Sequence, residues 1–137
     1  MLAVCFPQDY KIPLTEAQLE ELCNEIIHQV TAKIVFLDLL LLDKVAKGFI
    51  SYQVDTPMSD WCEKENWGFI REIFIAPDIR KMGYGKILVE HAERKLTDLS
   101  VPNIYLTTDD SIDFWINVGY QKTGEVSEKN KGYILIK

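Results

Sequence analysis

Ile73-Phe74-Ile75-Ala76-Pro77-Asp78-Ile79-Arg80-Lys81-Met82-Gly83-Tyr84-Gly85-Lys86 is the stretch on which the fold turns. An apolar, β-branched run ends at a proline and gives way to a glycine-containing turn that opens a helix. Gly83 and Gly85 can take backbone angles barred to other residues and present no Cβ to an approaching ligand. The first turn of a helix leaves N–H groups unpaired and carries the positive end of the helix dipole. Arg80, Lys81 and Lys86 add formal positive charge around it. Together these features make an anion site suited to a phosphate or pyrophosphate.

Two better-known glycine motifs do not fit. A Walker A loop ending at Gly85-Lys86 needs glycine at position 80 and Ser or Thr at 87, where the chain has Arg80 and Ile87. A dinucleotide fingerprint needs glycine at position 88, which is Leu88, and the preceding strands read as a hairpin. Gly83-Tyr84-Gly85 taken alone also suits a plain strand-to-helix turn.

Outward from this turn the elements alternate. Ala3–Phe6 reads as a short first strand. Thr15 and Gln18 form a capping box, and Leu19, Leu22, Cys23, Ile26, Ile27 and Val30 recur at helical spacing, so a helix is expected over Thr15–Thr31. Ile34–Leu42 and Val45–Val54 read as a hairpin turning at Asp43-Lys44. Asp55–Asn66 reads as a polar loop and Gly68–Ala76 as a strand. Gly83–Leu99 reads as a helix with Ile87, Leu88, Ala92, Leu96 and Leu99 on its apolar side. Ile104–Thr107 is a strand, and Asp110 caps a short helix to Val118, with Gly119 closing it. Tyr120–Val126 and Gly132–Ile136 are closing strands around a polar turn, Ser127–Lys131. The strand–helix–strand unit implies a parallel pair and the hairpins imply antiparallel ones. The expected fold is α/β, a mixed central β-sheet flanked by helices.

At roughly 100–200 residues per domain, the 137 residues form one domain, 1–137. A composition of 47% hydrophobic and 26% charged residues rules out a disordered tail. The net charge of −6 argues against nonspecific nucleic-acid binding, which needs Lys and Arg along the phosphate backbone. Cys5, Cys23 and Cys62 are far apart and form no C-x-x-C and no zinc spacing, so neither a disulfide framework nor a metal is expected. The longest apolar run, Ile34–Leu42, is interrupted by Asp38 and is about half a membrane span. Met1–Phe6 lacks the basic start of a signal peptide. The expected location is the cytoplasm, away from membranes.

Arg80-Lys81-Met82-Gly83-Tyr84-Gly85 resembles the R/Q-x-x-G-x-G/A pattern of the GNAT superfamily of acyl-CoA-dependent N-acetyltransferases. Ile73–Asp78 looks like that family's fourth strand with its usual proline. Phe114-Trp115-Ile116-Asn117-Val118-Gly119-Tyr120 looks like its late helix, F-Y-x-x-x-G-F. The likeness runs from about Gly68 to Tyr120 and is weaker before Val45. It implies a GNAT-like fold with acetyl-CoA as cosubstrate and no metal. The backbone amides of Arg80, Lys81, Met82, Gly83, Tyr84, Gly85 and Lys86 would hold the CoA pyrophosphate. The strand edge at Phe74 and Ile75 would pair with the pantetheine arm, and the Phe114–Val118 helix with Trp115 would lie on the arm's other side.

Transfer to an amine needs a neutral nucleophile, hence a base or a water chain to take its proton. A backbone N–H near position 75 is expected at the thioester oxygen. Glu72 is the candidate base, the one carboxylate in the apolar strand Phe69–Ala76, with its side chain opposite Ile73 and Ile75. An ion pair with Arg71 is its structural alternative. The family's usual tyrosine acid is replaced by Trp115, whose indole N–H does not usefully titrate. Thr108 and Ser111 replace the Asn and Ala that usually precede this helix. The acid comes from Tyr84 or Tyr105, or the thiolate leaves unaided. His28 and His91 read as packing or surface residues. Trp61 and Trp67 suit loop anchoring, an acceptor site or a homodimer contact.

Two functions follow. One is N-acetyl transfer from acetyl-CoA to a primary amine of a small molecule or peptide; the other is a CoA-binding protein with little transferase activity. A third, a plain interaction domain, stands only if both glycines are merely structural. Residues 1–66 hold eleven acids and five bases, whereas residues 67–137 hold ten of each, so the −6 belongs to the first half. That field would draw a cationic amine to the acceptor side. The same acids equally suit a solvated helix face at Glu16, Glu20, Glu21 and Glu25.

Overall fold

The computed structural model describes residues 17, 20–21, 24, 27–28, 35–58, 62–109, 111–128 and 131–137. Ala17, Glu20, Glu21, Asn24, Ile27 and His28 are helical, as expected within Thr15–Thr31. The expected strand Ala3–Phe6, the Thr15/Gln18 capping box, Cys5, Cys23, Trp61 and the Asp110 cap lie outside the described residues. The other described elements are β1 (Phe36–Leu42), β2 (Val45–Val54), β3 (Gly68–Ile75), α1 (Tyr84–Asp98), β4 (Ile104–Thr108), α2 (Ile112–Asn117), β5 (Gln121–Val126) and β6 (Tyr133–Ile136).

The strands form one mixed sheet in the order β1-β2-β3-β4-β6-β5. Among the described residues its one parallel pair is β3 with β4, joined through α1 as the strand–helix–strand unit requires. The other neighbours are antiparallel. β1 and β2 turn at Asp43 and Lys44, both with positive φ (50° and 65°), the geometry whose twist matches paired strands.

The two faces of the sheet are packed differently. Ile50, Tyr52, Ile70, Ile104, Leu106 and Leu135 face α1 and α2 and form the main core. The helices supply Leu88, Val89, Ala92, Leu96 and Trp115. The opposite face carries two smaller apolar clusters, Phe49/Phe74/Ala76 and Phe69/Tyr105/Ile134.

One expectation needs correcting. Ile87 and Leu99 are 55% and 46% exposed, while Val89 is fully buried. Leu88, Ala92 and Leu96 follow a four-residue spacing with Val89 beside it, and Ile87 falls off that stripe. The described residues of Asp55–Asn66 form a loop, as expected, but its first residue is buried: Asp55 has 0% exposure.

A break in register in β3 does the most to shape the site. Ser51 pairs with Glu72, and Tyr52 pairs with Ile70, so Arg71 is an extra residue. The bulge reverses the inside–outside alternation. Ile70 faces the helices before it, and Ile73 and Ile75 face them after it. Without it Glu72 and Phe74 would point into the main core.

Lys44→Gly should stabilise the hairpin by about 0.5–1 kcal/mol, because glycine takes a positive φ without a Cβ penalty. Urea unfolding would show this as a higher midpoint at unchanged slope.

Candidate active site

β3 and β4 pair at only two positions, Gly68↔Ile104 and Phe69↔Tyr105. Gly68 lets the layers close there, since a Cβ would stand 2.9 Å from Leu96 Cδ1 and 3.2 Å from Ile104 Cγ1. Beyond Phe69 the two strands no longer pair, and the β4-facing edge of β3 is open. The Ala76 N–H donates to Lys47 C=O at 2.8 Å. Antiparallel alternation then turns the backbone groups of Phe74 and Ala76 toward β2, and those of Ile73 and Ile75 toward the gap, so of the expected edge residues Phe74 and Ile75 only Ile75 has its backbone on the open side.

The glycine-containing turn before α1 closes one end of this gap. A single 3-10 turn, Pro77–Ile79, follows β3. Lys81 (φ 65°) and Gly83 (φ 89°) take left-handed backbone angles before α1 begins. The first helical bond runs from Ile87 N–H to Gly83 C=O, so the amides of Tyr84, Gly85 and Lys86 have no helical acceptor. Among the described residues, nothing lies within 4 Å of where a Gly83 Cβ would sit. Lys81 and Met82 are exposed. The Lys86 ammonium lies 4.0 Å from Glu90.

Arg80 behaves differently from the two lysines. Its Nε donates to the Ile75 carbonyl at 2.7 Å, and its guanidinium lies 5.6 Å from the centre of the Phe74 ring. Its cation is therefore held at the junction of strand edge and turn.

The glycines also divide. Gly83 provides the left-handed angle and the open surface. Gly85 makes room for protein: a Cβ there would stand 2.8 Å from Phe114 Cε1. The glycine that was expected to leave room for ligand thus lets α2 dock on the first turn of α1.

Trp115 is buried in the main core, edge-on to Phe114 and Tyr120 with ring centres 5.0 and 5.4 Å apart. Thr108 Oγ1 accepts the Ser111 N–H at 3.3 Å, ordering the entry to α2, where Ser111 occupies the cap position. Tyr105, one expected source of an acid, is fully buried and donates its hydroxyl to Asp55. Burial, reinforced by that bond, pushes its phenol far above the ordinary range, and its proton is committed to Asp55. Tyr84 is half-buried at the start of α1, beside the gap.

Glu72 lies on the face opposite α1, between the two small apolar clusters. Its side chain is open to water, yet the surrounding protein crowds its carboxyl. That crowding raises its pKa above the ordinary 4.5, and the Arg71 charge pulls it back.

A set of buried polar residues also borders the site, and it was not foreseen. Asp55 accepts from Tyr105 Oη, from Gln53 Nε2 at 3.2 Å, and from the Glu63 and Lys64 N–H groups at 3.2 and 3.4 Å. Gln53 Oε1 accepts from Arg71 Nη1 at 2.9 Å. The only local signal was two polar residues, Gln53 and Asp55, two apart at the end of a strand. Other candidates take structural places. His91 Nε2 lies 3.2 Å from Asp38, which also accepts the Tyr52 hydroxyl, so it ties α1 to β1. Trp67 packs edge-on to Tyr105 under Lys64, anchoring its loop. Among the described residues no cluster of His, Cys, Asp or Glu could hold a metal ion. No helix among them is long and apolar enough to cross a membrane.

A mixed sheet splayed at the parallel pair β3–β4, with a helix start at the mouth of the opening, defines an acyl-CoA N-acyltransferase fold. The chain matches the Acetyltransferase (GNAT) family over residues 2–120 and belongs to it. It is similar to the peptidyl-lysine N-acetyltransferase YjaB of Escherichia coli (strain K12), 36% identical over 66 residues. Those residues are 47% of this chain and 44% of YjaB, so the match spans less than half of that relative. Two solved structures share the fold. The PaiA N-acetyltransferase of Thermoplasma acidophilum, in complex with coenzyme A, has a TM-score of 0.66 at 16% identity, covering 90% of this chain and 79% of that one. Tetrahymena GCN5 has a TM-score of 0.63 at 14% identity, covering 88% and 78%.

Gly85→Ala should cost about 1–3 kcal/mol through the clash with Phe114. Most of that cost should vanish in a Phe114→Ala background, a coupling that denaturation of the four proteins in the cycle measures.

Proposed function

We propose that residues 1–137 form one cytoplasmic acetyltransferase domain that moves an acetyl group from acetyl-CoA to a primary amine. The observation that carries this reading is the open edge of β3, with the backbone of Ile73 and Ile75 facing the gap, ending at a helix start whose amides lack acceptors. The amides of the Arg80–Lys86 turn, with Lys81 and Lys86, would hold the pyrophosphate. Ile73 and Ile75 would receive the amide-bearing pantetheine arm as an added strand, alongside the ring of Phe74. Met82 and Tyr84 would line the cofactor side of the turn, and Trp115 would support that side from within the core.

Attack by a neutral amine on the thioester carbon forms the new C–N bond. Electrons move onto the carbonyl oxygen, where the Ile75 N–H would stabilise them. Glu72, directly or through a water, takes the proton the amine must lose. Collapse breaks the C–S bond and releases CoA thiolate, which with a pKa of about 8.5 can leave without a strong acid. The name of the YjaB relative favours a peptide lysine as acceptor. The acidic first half of the chain suits that cationic group.

A CoA-binding protein with little transferase activity is the second reading. It is favoured by Trp115 at the tyrosine position and by the commitment of Tyr105 to Asp55. Thermal shift with acetyl-CoA, followed by thiol release over a panel of lysine peptides and small amines, separates the two. Stabilisation with turnover supports transfer; stabilisation with none favours the binder.

Glu72→Gln should lower kcat by ~10²-fold and remove the acidic limb of the pH–rate profile, which should lie above the ordinary carboxylate range. Because the protein crowding its carboxyl raises the folded-state pKa of Glu72, its neutral form favours folding, and that advantage is lost as pH rises through the folded value. The substitution should therefore leave Tm at neutral pH unchanged or higher, which separates lost chemistry from unfolding. An acidic limb that survives the substitution would remove Glu72 from the role.

A further inference from the structure

The buried polar residues beside Glu72 have a fixed direction. Asp55 is inaccessible to solvent, and four donors converge on it. Such a set suits an ionised carboxylate, which can only accept. Gln53, 1% exposed, lies between this carboxylate and Arg71. Its Nε2 donates to Asp55 and its Oε1 accepts from Arg71. Turning the amide over would set N–H against the Arg71 donors and oxygen against a carboxylate. Both contacts would become repulsive, so one orientation is locked.

Arg71 is in turn placed by the bulge. As the extra residue of β3 it shares a face with Glu72, its neighbour in sequence. A guanidinium free to move there could close onto the Glu72 carboxylate in the bidentate geometry it prefers. The bond to Gln53 turns it toward β2 instead.

We propose that Gln53 is a positioning residue: pinned by the buried Asp55, its amide holds the Arg71 guanidinium beside Glu72 and keeps it from closing on that carboxylate. The arrangement leaves Glu72 unpaired enough to accept a proton, yet near enough to a cation to stay ionised. The proposal rests on the reading of Glu72 as the base only for its catalytic consequence.

Neighbouring charges are committed elsewhere among the described residues. Across β2, Ser51 stands opposite Glu72 and carries no charge. Lys47 is paired with Asp78 at 2.7 Å. On β1, Asp38 binds Tyr52 and His91, which belong to the face that packs on α1. β4 carries no charged side chain, and its Tyr105 hydroxyl is given to Asp55. Arg71 is the charge that acts on Glu72.

The test is a carbon-13 titration of the glutamate carboxyls in the full chain, with Glu72 identified by the signal lost in Glu72→Gln. Arg71→Met should raise the Glu72 midpoint by about one pH unit, because the nearby cation is gone. Gln53→Met should lower it, because the released guanidinium closes on the carboxylate. The double variant should follow Arg71→Met. Opposite signs from two substitutions on one chain of contacts are not expected from general loosening. Gln53→Asn keeps an amide for Asp55 but withdraws the oxygen from Arg71, and repeats the test if Gln53→Met does not fold. A folded Gln53 variant whose Glu72 midpoint stays put or rises overturns the proposal. The acidic limb of kcat/KM, measured with acetyl-CoA and a lysine peptide, should move with each midpoint. Midpoints that shift while the limb does not would sustain the positioning role and remove Glu72 as the base.

Discussion

Two residues of β3 pair with β4, and then the strands part. Everything the site does depends on that brief pairing. At the closed end Gly68 lets Leu96 and Ile104 press against the strand. Past Phe69, the β4-facing peptide groups of β3 have no strand to meet, which inside a sheet is costly unless something else supplies the bonds. Arg80 supplies one such bond, to Ile75. The remaining open edge is what an amide-bearing ligand chain can use. An anion site at one end and a strand edge along the side together suit a long ligand that begins with phosphates.

The bulge adds the second requirement. By inserting Arg71 it keeps Ile73 and Ile75 in the main core and turns Glu72 to the other face. There Ser51, Gln53, Arg71 and Glu72 form a polar strip between two apolar clusters. Its buried members are satisfied down to Asp55, and no buried side-chain polar atom among the described residues lacks a partner. Losing one member would leave the others buried without partners, which costs far more than the bonds themselves are worth. Ser127, 1% exposed, donates to Glu63 at 2.5 Å and so ties the end of β5 to the loop that caps Asp55.

What the sequence made legible was local. The β1–β2 hairpin, α1 and the glycine-containing turn before it each announce themselves within a dozen residues, through periodicity, punctuation and charge. Glu72 stood out as a carboxylate in an apolar run. The remainder depended on distant partners. Gly85 reads as room for a ligand until Phe114, far along the chain, is seen against it. Tyr105 reads as an available phenol until Asp55 is seen to hold it. Asp55 reads as the start of a loop because loops are where aspartates usually fall, and nothing nearby reveals its four donors. The bulge leaves one mark, easily passed over: Arg71 and Glu72 stand side by side between Ile70 and Ile73, a spacing of three that plain alternation cannot put on one face.

The central claim is that the open edge of β3 and the start of α1 form one binding surface for CoA. Titrating CoA into nitrogen-15-labelled protein tests it most directly. The account predicts that the amides of Ile73, Ile75 and the Lys81–Lys86 turn move most, as one saturable set. Shifts confined to other strands, or no saturable shift at all, would contradict it.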